Sequence, residues 1–255
     1  MKIATWNVNS LRARLPHLTR WLATAAPDIL ALQETKVVDA DFPGAEIEAL
    51  GYQWLCSGQK SYNGVAVLSR TAMTPLFTTL EALEDPQRRV LAVQVGSYTV
   101  LDLYVPNGAS VGSDKYAYKL AWLDRLVDTV ARLLRDGRPT IVLGDFNIAP
   151  EDRDVHDPAA WTGSVLVSEP ERERLRRLLA LGLRDGFRLF EQGDDGFTWW
   201  DYRGGSFRRN HGLRIDLVLL DGGLAARCRR LYVDREPRRW EKPSDHAPVV
   251  AEFDD

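Results

Sequence analysis

The chain has 255 residues, 45% of them hydrophobic and 27% charged, the balance of a globular protein near the upper end of single-domain size. No window approaches the roughly 18 consecutive apolar residues of a membrane span, and the mean hydropathy is negative, so no membrane-spanning helix is expected. The formal net charge of −3 argues mildly against a polyanionic partner, although arginines gather in short clusters such as Arg88 with Arg89 and Arg208 with Arg209.

Taken in chain order, Lys2 to Trp6 alternate as a strand does, not as a targeting leader. The pattern predicts a helix over 11–25, stopped by Pro27, and then the apolar run 28–33, giving a strand, helix, strand opening. Short strands are predicted at 52–56, 64–69, 90–95 and 98–104, hairpin-like, with Gly96 and Ser97 turning the last pair. A long amphipathic helix over 115–135 puts Leu123, Leu126, Val127 and Val130 on one face and ends at Gly137. A buried strand at 140–143 delivers Gly144, Asp145, Phe146 and Asn147 at its C-terminal end. A helix at 169–181 and strands at 214–220, 231–234 and 249–253 complete the chain.

No repeat and no Pro/Gly/Ser linker interrupts this alternation, so one domain is expected over 1–255. Its expected class is α/β, with two mixed β-sheets packed face to face and helices outside. Cys56 and Cys228 lack CxxC or Cys/His spacing and read as small buried residues in a reducing, cytoplasmic compartment.

The informative pattern is that apolar strands repeatedly end in a carboxylate, amide or imidazole. The first strand runs into Asn7 and Asn9, the next into Glu34, a hairpin strand into Tyr104 and Asn107, and a later one into Asp145 and Asn147. Asp216 lies inside RIDLVLL, and Asp245 precedes His246 in SDH. Carboxylates in such runs are costly unless paired or bound to a cation, so their convergence at one pole of the sheets would suit a metal. Each element alone has a plain structural explanation: Asp145 and Asn147 are ordinary turn residues, and a lone histidine is more often structural. Asp216 is more diagnostic, because an ionised carboxylate there needs a partner, and His246 is the natural one.

Nine ordered segments, TWNVNSLRAR, PDILALQETKV, YNGVAVLSR, QRRVLAVQV, LYVPNG, IVLGDFNIAP, FTWWDYR, GLRIDLVLL and SDHAPV, together resemble the exonuclease III group of abasic-site endonucleases over roughly residues 4–249. The resemblance implies a four-layer α-β-β-α sandwich, and a phosphodiesterase that cuts double-stranded DNA 5′ to abasic sites and trims 3′ ends, a monomer in base excision repair. It implies Asn7, Glu34 and Asp245 as the main site for Mg²⁺, with Mn²⁺ possible, and Asp145, Asn147 and His246 around the attacking water and a possible second metal. Tyr104 would sit near the scissile phosphate and Asp216 behind His246, with Asn107 on the substrate side. Trp199, Leu213 and Ile215, which read as core by themselves, would form an apolar pocket for the base-less sugar, and Arg88, Arg208 and Arg209 would grip phosphates. Two positions depart from the group: Ser10 stands where many members carry glycine, and Leu213 where some carry tryptophan. A relative acting on phosphoinositides, sphingomyelin or nucleotides would use the same metal and His/Asp residues, and an inactive DNA-binding module would have lost some of them.

Overall fold

The computed structural model describes residues 1–190, 193 and 196–254. In chain order, β1 (Lys2–Asn7), α1 (Leu11–Ala25) and β2 (Ile29–Gln33) lead into α2 (Gly44–Glu48), β3 (Gln53–Ser57), β4 (Val65–Ser69) and β5 (Met73–Phe77). The centre holds β6 (Val90–Val95), β7 (Tyr98–Tyr104), α3 (Asp114–Arg135), β8 (Thr140–Asp145), α4 (Pro158–Trp161), α5 (Glu169–Ala180) and β9 (Arg184–Asp185). The chain closes with β10 (Asp216–Leu220), α6 (Gly222–Arg227), β11 (Cys228–Val233) and β12 (Val249–Phe253).

Among the described residues the strands form two six-stranded sheets, ordered β11-β12-β1-β2-β4-β3 and β5-β6-β7-β8-β10-β9. Each sheet is mixed, with one parallel pair, β1 with β2 and β7 with β8, and antiparallel neighbours elsewhere. Strand side chains alternate between faces, and that period sorts the apolar residues into layers. Ile3, Ile29, Val67, Val93, Ile141 and Val218 fill the space between the sheets. Trp6, Leu18, Trp21 and Leu30 pack α1 on the outer face of the first sheet. Leu101, Leu126, Val130, Leu178 and Leu217 pack α3 and α5 on the outer face of the second. The expected four layers are therefore present.

The hydrophobic stripe of α3 works because Ser113 starts it, its side chain accepting the Tyr116 N–H, and helix α5 carries a Ser168/Glu171 capping box. Boundaries differ from expectation where tertiary pairing decides them. The edge strand β5 was not anticipated: Pro75 disguises it, and proline is tolerated there because an edge strand has one unpaired side. Strand β10 begins at Asp216, not at 214, and β11 begins at Cys228, not at 231.

Candidate active site

The C-terminal ends of the parallel pairs open at one pole. Register aligns Tyr104, Asp145 and Asp216 in a single row across the second sheet. In the first sheet Asn7 pairs with Gln33, which places Glu34 just beyond β2. Asp245 and His246 arrive on the segment entering β12. The row is tight: Gly144 has φ 138°, and a Cβ there would lie 2.0 Å from the Leu103 carbonyl oxygen, so only glycine lets β7 and β8 close behind Asp145.

The strand ends are bent into left-handed backbone at non-glycine residues: Asn9 at φ 44°, Glu34 at 51° and Asn147 at 49°. Outside glycine and asparagine such conformations cost roughly 1–2 kcal/mol each. They persist here because backbone bonds hold them, Ser10 N to Glu34 O at 2.8 Å and Thr35 N to Gly64 O at 3.1 Å. Ser10 itself adopts φ 88°, a glycine-like geometry kept without glycine.

Hydrogen bonds then aim the side chains. The Asn7 amide donates to Glu34 Oε1 and to Asp145 Oδ2, both at 2.9 Å, while its Oδ1 accepts from Asn9 N. Asp145 Oδ1 accepts from Asn147 N at 2.9 Å, and the Asn147 amide accepts from Asn107 at 3.2 Å. Asp245 accepts from Asn9 Nδ2 at 2.9 Å and Trp199 Nε1 at 3.0 Å. His246 Nδ1 meets Asp216 Oδ2 at 2.8 Å, which turns Nε2 toward Asp145 Oδ2, 3.8 Å away.

Burial alone would push the His246 pKa down, but Asp216 and then Asp145 outweigh it and push it up to about 10, so the ring is an imidazolium at neutral pH. Burial pushes the Asp145 carboxyl up to about 7, against the opposing pull of His246 and Asn7. Burial and the nearby Glu34 carboxylate hold Tyr104 well above the ordinary phenol range, so it remains an O–H donor. Burial would raise Asp245 as well, but His246 and the Trp199 bond keep it below the usual carboxylate range.

Ligand atoms of Glu34, Asp145 and His246 lie within 4.8 Å of one another. The oxygens of Glu34 and Asp145 are a possible site for a hard divalent cation, with the His246 ring beside it. Glu34 converges with Asp145 and His246, and the Asp245 oxygens accept from Asn9 and Trp199. Trp199, Leu213 and Ile215 meet in one apolar cluster with Val155 and Leu166. Leu213 and Ile215 lie ahead of β10 rather than along it, Leu213 pairing by its backbone with Trp199. Arg88, Arg208 and Arg209 are exposed, and Asn107 is exposed at the rim.

Two basic residues of the site were missed by sequence reading. Lys36 Nζ bonds Asn9 Oδ1 at 2.6 Å and Glu34 Oε2 at 3.0 Å, while Arg89, rather than its neighbour Arg88, stacks on the Tyr104 ring at 4.7 Å. The signal for Arg89 was its place directly before β6, paired with the strand that ends in Tyr104.

The chain matches the Endonuclease/Exonuclease/phosphatase family over residues 4–246. It is 37% identical to exodeoxyribonuclease III of Haemophilus influenzae, covering 99% of this chain and 100% of that protein. The 3′ phosphatase NExo from Neisseria, solved bound to a product DNA hairpin, superposes with a TM-score of 0.97 at 45% identity, covering 100% of this chain and 99% of that one. An AP endonuclease from Archaeoglobus fulgidus also gives 0.97, at 39% identity, with 100% of both chains covered. With its two mixed sheets, its row of Tyr104, Asp145 and Asp216, and these relatives along its full length, the chain belongs to the Endonuclease/Exonuclease/phosphatase family.

Proposed function

We propose that the chain is a metal-dependent DNA phosphodiesterase that hydrolyses the backbone 5′ to abasic sites and removes nucleotides or blocking groups from 3′ ends. The observation that carries this reading is the convergence of Glu34, Asp145 and His246 beside Tyr104, with Asp216 fixing the histidine. Asp145, pushed up to about 7, orients and deprotonates the attacking water, with Asn147 as hydrogen-bond support. The His246 imidazolium and the Tyr104 hydroxyl donate to the phosphate oxygens as charge grows on them.

Glu34 and Asp145, with Asn7, Asn147 and Asp245 supporting them, would hold Mg²⁺ or Mn²⁺, which supplies Lewis-acid neutralisation of the phosphate and of the departing 3′ oxygen. Trp199, half-buried over the buried Leu213 and Ile215, would offer an apolar surface to a base-less sugar, which can leave the helix without losing base stacking. The exposed Arg88, Arg208 and Arg209 suit phosphate contacts along the duplex. The protein would act as a monomer built on one domain, in the cytoplasm with access to chromosomal DNA. Among the described residues no helix is long and apolar enough to cross a membrane.

The test is incubation of the pure protein and Mg²⁺ with labelled duplexes carrying an abasic analogue, a blunt end or a 3′ phosphate. Cleavage of at least one supports the reading and ranks the activities. No turnover of any of the three overturns it.

A further inference from the structure

Lys119 is fully buried on the inner face of α3, and its ammonium reaches three acceptors. It bonds the Asn107 carbonyl at 3.1 Å, the Asn147 carbonyl at 2.6 Å and the Glu171 carboxylate. Glu171 is equally buried, and accepts the backbone N–H of Leu166 and of Ser168, each at 3.1 Å. An enclosed ion pair of this kind is commonly no more stabilising than apolar packing of the same volume, so stability alone explains it poorly.

What the pair touches suggests a better reason. Both carbonyls bound by Lys119 belong to asparagines at the candidate site. Asn147 sits in left-handed backbone at φ 49°. Its side-chain amide donates to Val105 O at 3.0 Å and to Asp145 Oδ2 at 3.3 Å. On the other side, Glu171 fixes Leu166 at φ 76°, a strained conformation for a bulky residue, and the Leu166 carbonyl accepts from Ala149 N at 2.7 Å. Ala149, Leu166 and Val167 are walls of the same apolar cluster as Leu213 and Ile215. One ion pair thus joins the amide that steadies Asp145 to the apolar cluster of Leu213 and Ile215.

We infer that Lys119 and Glu171 are positioning residues, setting Asn107 and Asn147, and through them Asp145, against the apolar cluster of Leu213 and Ile215; the inference rests on the function proposed above. The simpler alternative is a cross-link that only staples α3 to α5. Misplacing a reacting group by about 1 Å can cost on the order of 100-fold in rate, whereas loss of a mere staple would lower stability and leave turnover by the folded fraction unchanged.

The experiment compares the full chain with the double variant Lys119→Met/Glu171→Gln, which removes both charges while keeping one of the two oxygens that accept the Leu166 and Ser168 N–H groups. A second variant, Lys119→Arg, keeps charge and donors. With Mg²⁺ saturating, kcat on an abasic duplex should fall at least about tenfold in the double variant, KM should change by less than about threefold, and Lys119→Arg should recover most of the loss. A double variant with kcat within about twofold of the parent overturns the inference, as does a loss that follows the thermal midpoint with Lys119→Arg no better. If the parent protein cleaves no DNA, the proposed function fails first, and the inference is then read from the side-chain amide protons of Asn147 by NMR. Slow exchange in the parent and fast exchange in the double variant supports it, and equal exchange overturns it.

Discussion

Below the candidate site, between the two sheets, Asp102 is fully buried, and the Gln33 amide donates to its Oδ1 at 2.7 Å. The other carboxyl oxygen, Oδ2, has no partner among the described residues, and neither does Gln33 Oε1. Two unpartnered acceptors on the same pair are expensive, and a proton on Asp102 removes the charge from this buried carboxyl. Burial agrees, holding the carboxyl pKa well above 3.8.

The sign follows from linkage. A folded pKa raised above the unfolded value of about 3.9 means that the native state keeps a proton that the unfolded chain releases, so stability declines as pH rises from there to the folded pKa. The slope is about 1.4 kcal/mol per pH unit. Asp102→Asn should remove this dependence, since asparagine accepts from Gln33 through its oxygen without titrating. Urea unfolding of both proteins at several pH values from about 5 upward should show the variant gaining on the parent by about that slope until the folded pKa is passed. A difference that stays flat with pH would refute the reasoning, because Asp102 would then be charged in the fold or titrate as it does unfolded.

Chelation with EDTA should abolish cleavage, and Glu34→Ala should do the same in ordinary Mg²⁺; activity surviving rigorous metal removal would exclude the metal-dependent reading. Asp145→Asn and His246→Asn should each slow cleavage at least about 100-fold while DNA binding survives, measured by single-turnover rates and a binding isotherm. Trp199→Ala should lower incision at abasic sites relative to undamaged DNA; an unchanged ratio of the two rates would make Trp199 packing only. Neutralising Arg88, Arg208 and Arg209 together should weaken DNA affinity and flatten its salt dependence, and an unchanged salt slope would leave them as solvated surface.

The layers were legible because strand and helix periods write burial directly into the order of apolar residues: Leu123, Leu126, Val127 and Val130 pack where the helical period puts them. The row of Tyr104, Asp145 and Asp216 was legible as three polar strand ends, while its alignment depends on register, which pairs residues far apart in sequence. Lys119 was hidden for the opposite reason. A lysine on an amphipathic helix reads as solvent-facing, and only the docking of α3 against α5 encloses it with Glu171. Leu213 and Ile215 were placed together through an expected strand that the structure replaces with a loop bridged to Trp199.

The left-handed strand ends carry a consequence for how such a protein can change. At Glu34 the backbone would relax with glycine, but glycine would remove the carboxylate that reaches Asn7 and Lys36. At Asn147 a glycine would likewise fit the turn while deleting the amide that faces Asp145. Selection for a firmer fold and selection for chemistry therefore pull on the same few atoms in opposite directions. Gains in heat resistance that spare the activity have to come from elsewhere, at surface loops and helix ends remote from this pole.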